Sequence, residues 1–254
     1  MIIDTHAHLY YPEIIKNLDE ILSRAKDAGV EKIIAPAVDL ESSKILIDLS
    51  EKHEMIYCAI GIHPCDVNKF ELDIFDEIDK LLSHEKIVAV GETGLDYYWD
   101  ISNIEKQKTF FRLQIDLAKS YKLPVVIHTR NSTQDAIDII NSKYDEDLRG
   151  QFHCFSGTES ELDQVLNLNN FYISFCGNIT YKNFTGNNLI LKAPVEKLLS
   201  ETDSPFLPPV PYRGKKNEPS YIIETLKKIS EIKEFDHNSF MKIIYNNAYK
   251  IFFN

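Results

Sequence analysis

The chain is short of the features that mark several large protein classes. It has only four cysteines, Cys58, Cys65, Cys154 and Cys176, and no two of them form a C-x-x-C pair. In a chain of this length free thiols rather than disulfides are expected. No apolar run approaches the roughly 20 residues that cross a bilayer, so no membrane association is expected. The opening MIIDTHAHLY lacks the basic start and long apolar stretch of a signal peptide, and a cytoplasmic protein is expected. Positive charge is also scarce. Lys and Arg number 28 against 39 Asp and Glu, for a formal net charge of −11. This balance argues against coating nucleic acid by bulk electrostatics. It leaves a phosphate substrate open, because bound divalent cations supply local positive charge that a residue count omits.

The 254 residues are 44% hydrophobic and 26% charged, enough apolar material for one sizeable core. Linkers, repeats and low-complexity segments are lacking, so a single domain over residues 1–254 is expected. Short β-rich runs alternate with amphipathic stretches. The strand candidates are Ile2–His6, Ile33–Ala37, Tyr57–Ile62, Ile87–Glu92, Val125–His128, Gln151–Phe155, Phe171–Gly177 and Lys197–Glu201. Several are near-continuous apolar runs, as in strands buried on both faces of a parallel sheet. Helical periodicity covers Pro12–Ala28, Glu41–His53, Leu72–Ser83, Ile104–Tyr121, Thr133–Ser142, Glu159–Leu168 and Asn187–Ala193, with Tyr221–Ile232 and His237–Phe252 after the last strand. Eight such units in about 250 residues predict a single (β/α)8 TIM-type barrel; an open doubly wound sheet is the alternative. Ser204–Pro219, rich in proline, reads as a long functional loop.

Chemistry-bearing residues fall at strand ends. His6 and His8, two apart, share one face of an extended segment. Glu92 ends the fourth strand candidate, His128 the fifth, His153 lies at the end of the sixth and Asp203 follows the eighth. In a barrel those ends converge on one mouth, where active sites sit. Four imidazoles and two carboxylates are donors suited to divalent metals. Taken singly each has an ordinary reading, as a hydrogen-bonded histidine or a capping acid; their recurrence at five strand ends points to a metal site. Phe110, Phe111 and Leu113 fit the buried face of a helix.

At these residues the sequence resembles the TatD family of metal-dependent deoxyribonucleases, within the amidohydrolase-like barrels. The matches are DTHAHL at Asp4–Leu9, GIHP at Gly61–Pro64, GETGLDYY at Gly91–Tyr98, PVVIHTR at Pro124–Arg130, HCFSG at His153–Gly157, ETDSPFLPP at Glu201–Pro209 and YRGKKNEP at Tyr212–Pro219. The resemblance implies two divalent ions, Mg2+, Mn2+ or Zn2+. His6, His8, Glu92 and Asp203 would hold the first, and Glu92, His128 and His153 the second, with Glu92 bridging. It implies hydrolysis of DNA phosphodiester bonds by a two-metal-activated water, with Asp203 and Glu92 as catalytic residues. The expected partner is DNA, as single strands or frayed ends trimmed 3′ to 5′, with no obligate protein partner. His63, Arg130, Asp96 and Arg213 are substrate-contact candidates, and Asp96 is also placed to orient a ligand histidine. Tyr97, Tyr98 and Trp99 are placed to stack on a terminal base. The family often has a histidine where this chain has Cys65, which is expected to be a partly buried neutral thiol. Hydrolysis of another ester or amide, such as a D-aminoacyl-tRNA, is the enzymatic alternative, and a non-catalytic binding protein on the same barrel is the alternative of another class.

Overall fold

The computed structural model describes residues 1–99 and 101–254. Among them, eight parallel strands form one sheet in sequential order: β1 (Ile2–Asp4), β2 (Val30–Pro36), β3 (Ile56–Ile60), β4 (Ile87–Asp96), β5 (Val125–Arg130), β6 (Gly150–Phe152), β7 (Phe171–Phe175) and β8 (Leu198–Ser200). The ends meet. Thr5 N donates to Ser200 O at 2.9 Å, Asp203 N to His6 O at 2.8 Å and His8 N to Ser204 O at 2.7 Å, and Ala7 pairs with Ser204. These bonds complete a (β/α)8 TIM barrel rather than an open doubly wound sheet.

Helices α1 (Pro12–Ile15), α2 (Leu18–Asp27), α3 (Leu40–Lys52), α4 (Ile74–Leu81), α5 (Ile104–Ser120), α6 (Thr133–Lys143), α7 (Glu159–Leu166) and α8 (Asn187–Lys192) lie between strands, with α9 (Ile222–Ile232) and α10 (His237–Phe252) at the end. One helix was expected over Pro12–Ala28; the chain makes two. It leaves helical geometry at Asn17 (φ −124°, ψ 23°), whose carbonyl then accepts Ile21 N at 3.0 Å and starts the second helix. On α5 the buried face holds Phe110, Phe111 and Ile115, while Leu113 is only half-buried.

The core has two parts. Ile33, Ala35, Ile60, Val90 and Ile127 face outward and pack beneath the helices. Ile3, Ile34, Ala59, Ala89, Val126 and Leu199 face inward and pack with Ala248, Ile251 and Phe252 of α10. That helix therefore plugs the end of the barrel at which the strands begin. Above this apolar plug comes a buried polar layer: Gln151 Nε2 donates to Thr5 Oγ1, Ser174 Oγ and Glu201 Oε2 at 2.7–3.0 Å. Above that layer, at the strand ends, lies the candidate site.

Candidate metal centre

Each strand delivers its donor through a local device. β1 stops at Asp4, but the chain stays extended and in contact with both neighbours, because Thr5 bonds to Ser200 and Ala7 N to Ile34 O at 3.1 Å. His6 and His8 thus point the same way, with their Nε2 atoms 3.2 Å apart. Asp4, fully buried, accepts from Thr202 N at 3.0 Å and Thr202 Oγ1 at 2.6 Å, tying the His6 segment to the segment that carries Asp203. Burial pushes its carboxyl up to about 8.

β4 and β5 run past the expected ends, with Gly94 paired to His128 and Asp96 to Arg130. Gly94 has φ +131°, and a side chain there would collide with the His128 carbonyl oxygen; only glycine lets the two strands approach this closely. α5 grips β4 from outside. Gln107 bonds both backbone groups of Asp96 at 2.9 and 3.0 Å, and Gln114 bonds Ile62 N and O and Thr93 Oγ1 at 2.6–3.0 Å. β6 ends early, at Phe152, and its chain turns at Cys154 (φ +43°), leaving His153 aimed into the mouth. Asp203 has φ +57°. A left-handed, non-glycine backbone is strained and persists where surrounding bonds dictate it, often at functional sites.

The structure brings His6, His8, Glu92, His128, His153 and Asp203 together. The two oxygens of Glu92 face different groups. Oε2 lies 3.4 Å from His6 Nε2 and 3.5 Å from His8 Nε2, and His8 Nε2 is 3.4 Å from Asp203 Oδ1. Oε1 lies 3.1 Å from His128 Nδ1 and 2.9 Å from His153 Nε2, and those nitrogens are 3.2 Å apart. Two ligand atoms about 2.1 Å from one ion stand about 3.0 Å apart in octahedral and about 3.4 Å in tetrahedral coordination. The donor spacings therefore fit two ions sharing one carboxylate, and imidazole with carboxylate is a donor set for divalent metals. His6 and His153 also keep buried Nδ1 atoms that have no hydrogen-bond partner among the described residues.

The electrostatics agree. Burial disfavours the charge of Glu92, but the His153 imidazolium and a hydrogen bond from His128 outweigh it and hold the carboxyl well below its usual range. Burial likewise opposes ionisation of Asp203, and the hydrogen bond and charge of His8 overcome it. For His153 burial works against protonation, yet Glu92 raises the imidazole to about 10. A compact anionic centre that draws protons this strongly also draws cations.

Asp96 is fully buried; its Oδ2 accepts from His128 Nε2 at 2.9 Å, and its Oδ1 caps Tyr98 N and Trp99 N at 2.9 Å each. It orients His128 so that Nδ1 faces Glu92. His63 stands 3.6 Å from Glu92 Oε1, and burial pushes it down to about 3, so it is neutral. Arg130 lies over the Tyr98 ring at 3.8 Å and the Trp99 ring at 5.2 Å. Arg213 is not with the others: it is exposed, sits 4.1 Å above the Tyr181 ring and does not line the cavity over the centre. Cys65 is half-buried and raised to about 12 by burial and by Asp96 and Asp66, a neutral thiol at the cavity wall. Tyr97 turns away from the mouth to bond Asp135 at 2.8 Å.

Sequence reasoning missed Glu201. It is fully buried and accepts from Cys154 N, Ser174 Oγ, Cys176 Sγ and Gln151 Nε2, and its Oε2 is 3.9 Å from His153 Nδ1. Its place two residues before Asp203 was the available signal.

A family model described as TatD related DNase matches residues 3–253. The chain belongs to the TatD family. Among relatives it is 40% identical to YabD of Bacillus subtilis strain 168, named an uncharacterized metal-dependent hydrolase, over 99% of both chains. It is similar to the crystal structure of YjjV, a TatD homolog from Escherichia coli K12, with TM-score 0.93, 31% identity, and 99% and 97% of the two chains covered. It is also similar to a TatD family hydrolase of Entamoeba histolytica, with TM-score 0.90, 27% identity, and 99% and 98% covered. Among the described residues no helix is long and apolar enough to cross a membrane.

Proposed function

We propose that this TatD protein is a metal-dependent hydrolase that cleaves DNA phosphodiester bonds, removing nucleotides from single-stranded or frayed 3′ ends. The observation that carries the reading is one cavity of about 590 Å3, lined by Glu92, His128, His153 and Asp203 at its floor and by Arg130 and Trp99 at its wall. A cation fit for a phosphate and an aromatic ring fit for a base stand beside a carboxylate–imidazole centre. The name of the family and the hydrolase names of relatives support the same chemistry. A cavity of this size suits a chain end better than a duplex, and so does the net charge of −11.

His6, His8, Asp203 and Glu92 Oε2 would hold one cation; His128, His153 and Glu92 Oε1 would hold the other. A bound pair supplies a nucleophilic water at neutral pH and neutralises charge developing on the phosphoryl group. Asp203, kept ionised and facing the cavity, orients that water and accepts its proton. Neutral His63 hydrogen-bonds a phosphoryl oxygen. Arg130, held flat by Tyr98 and Trp99, presents its outer edge to the next phosphate. Asp96 keeps His128 in one tautomer throughout.

The test is a set of labelled substrates: single-stranded DNA, blunt duplex, RNA and D-aminoacyl-tRNA, each with and without chelator. Shortening of single-stranded DNA from its 3′ end, stopped by chelator and restored by Mg2+ or Mn2+, is expected. Cleavage that survives chelation, or turnover of the ester alone, would overturn the reading.

A further inference from the structure

Next to the proposed metal pair, but on the other side of Glu201, lies a second group of ligand atoms. Cys154 follows His153, and Cys176 follows β7, so two adjacent strand ends bring both thiols against the same buried carboxylate. Cys176 Sγ is 2.9 Å from Glu201 Oε1, and the ligand atoms of Cys154, Cys176 and Glu201 all lie within 4.8 Å of one another. The two carboxylate oxygens are used differently. Oε2 is held by Gln151 and Ser174 from the polar layer, whereas Oε1 is turned to the thiols and the Cys154 backbone N–H. Both cysteines also line a cavity of about 270 Å3, bordered by Ser156 and Asn178 and separate from the large one. The group thus has its own route to solvent and room for a water.

We infer that Cys154, Cys176 and Glu201 form a third cation site, selective for a soft, thiophilic divalent ion such as Zn2+ or Cd2+. Ions of this kind sit about 2.3 Å from thiolate sulfur in four-coordinate sites, which puts tetrahedral sulfur pairs about 3.8 Å apart, inside the observed limit. Three protein ligands leave the fourth position to a water from the smaller cavity. On binding, each thiol releases its proton to solvent, and Glu201 Oε1 exchanges the Cys176 S–H for the ion. Hard ions such as Mg2+, which prefer all-oxygen ligation, would not occupy it. The site is distinct in donor chemistry from the imidazole–carboxylate pair, and does not depend on what that pair hydrolyses.

The experiment is titration of the reduced, metal-stripped protein with Co2+ in the presence of a phosphine reductant. A thiolate-to-cobalt charge-transfer band is expected, and in Glu92→Gln it should saturate with one ion per chain. It should vanish in Cys154→Ser and Cys176→Ser and persist in Cys65→Ser and in Glu92→Gln, where the proposed pair is disabled. In parallel, Cd2+ should protect Cys154 from alkylation in Glu92→Gln, where the pair beside it is disabled, read by peptide mass mapping, which decides the matter even where a serine variant fails to fold. No band, a band that outlives both thiols, a band lost with Cys65, or unprotected Cys154 would each overturn the inference.

Discussion

Asn in place of Asp96 is nearly isosteric, yet it should disable one half of the proposed metal centre. In the wild type Oδ1 accepts from two backbone N–H groups, Tyr98 and Trp99, at 2.9 Å, and Oδ2 accepts from His128 Nε2 at 2.9 Å. The two backbone donors fix the orientation of an asparagine: its oxygen must take their place, because the amide nitrogen would face two N–H groups. The nitrogen is then aimed at His128 Nε2, which must accept instead of donate. That moves the imidazole proton to Nδ1, the atom 3.1 Å from Glu92 Oε1 that would bind the cation. Losing an orienting carboxylate of this kind typically lowers metal affinity or activity about 10–100-fold, about 1.4–2.7 kcal/mol. Trapping the wrong tautomer can cost catalysis about 10^4-fold. Since His128 has to break one hydrogen bond to recover its ligand tautomer, we expect Asp96→Asn to lose about 100-fold in affinity at one of two ion sites, with the fold intact. Calorimetric titration with Mn2+ reads the two affinities separately, and saturating Mn2+ should restore part of the lost turnover. Wild-type affinity at both sites would refute the orienting role of Asp96, whatever happens to turnover.

Glu92→Gln should remove both ions of the pair together, because each donor set loses its share of the one bridging carboxylate; elemental analysis of protein loaded with Mn2+, a hard ion that the thiol site would not take, checks this after gel filtration, and retention of one tightly bound Mn2+ would disprove bridging. Gly94→Ala should cut turnover and stability together, since a methyl group there meets the His128 carbonyl and pushes β4 away from β5; thermal denaturation and the cleavage assay should fall in step. Gln114→Leu leaves Ile62 N and O without their side-chain partner and should cost about 2–4 kcal/mol, read by urea unfolding. Glu218 forms a two-pronged pair with Arg24 at 2.7 and 2.8 Å, and that pair, with Ser220, outweighs burial and lowers its carboxyl below the usual range. A lowered carboxyl stabilises the fold above its unfolded value of about 4.3 and loses that contribution as pH falls through the folded value. The stability gap between wild type and Glu218→Gln should therefore be full at neutral pH and close in acid.

Periodicity and residue type were enough to read the alternation of strands and helices, since a strand buried on both faces must be apolar throughout and a covering helix must be striped. They were also enough to single out His6, His8, Glu92, His128, His153 and Asp203, because few side chains serve as metal donors and these recur at strand ends. Linear order could not say which oxygen of Glu92 faces which imidazoles. That depends on β4 lying beside β5 in a register that only Gly94 permits, and on Thr5 meeting Ser200 to close the barrel. Arg213 shows the limit: a basic residue in a long loop looks ready for phosphate, but the loop's return path carries it onto Tyr181. Glu201 shows the converse, an acid of ordinary appearance in sequence whose burial among Gln151, Ser174, Cys154 and Cys176 comes from three strands meeting. Composition and spacing determine which groups are present and on which element. Only tertiary packing, by fixing distances between residues far apart in the chain, decides which of them share a centre.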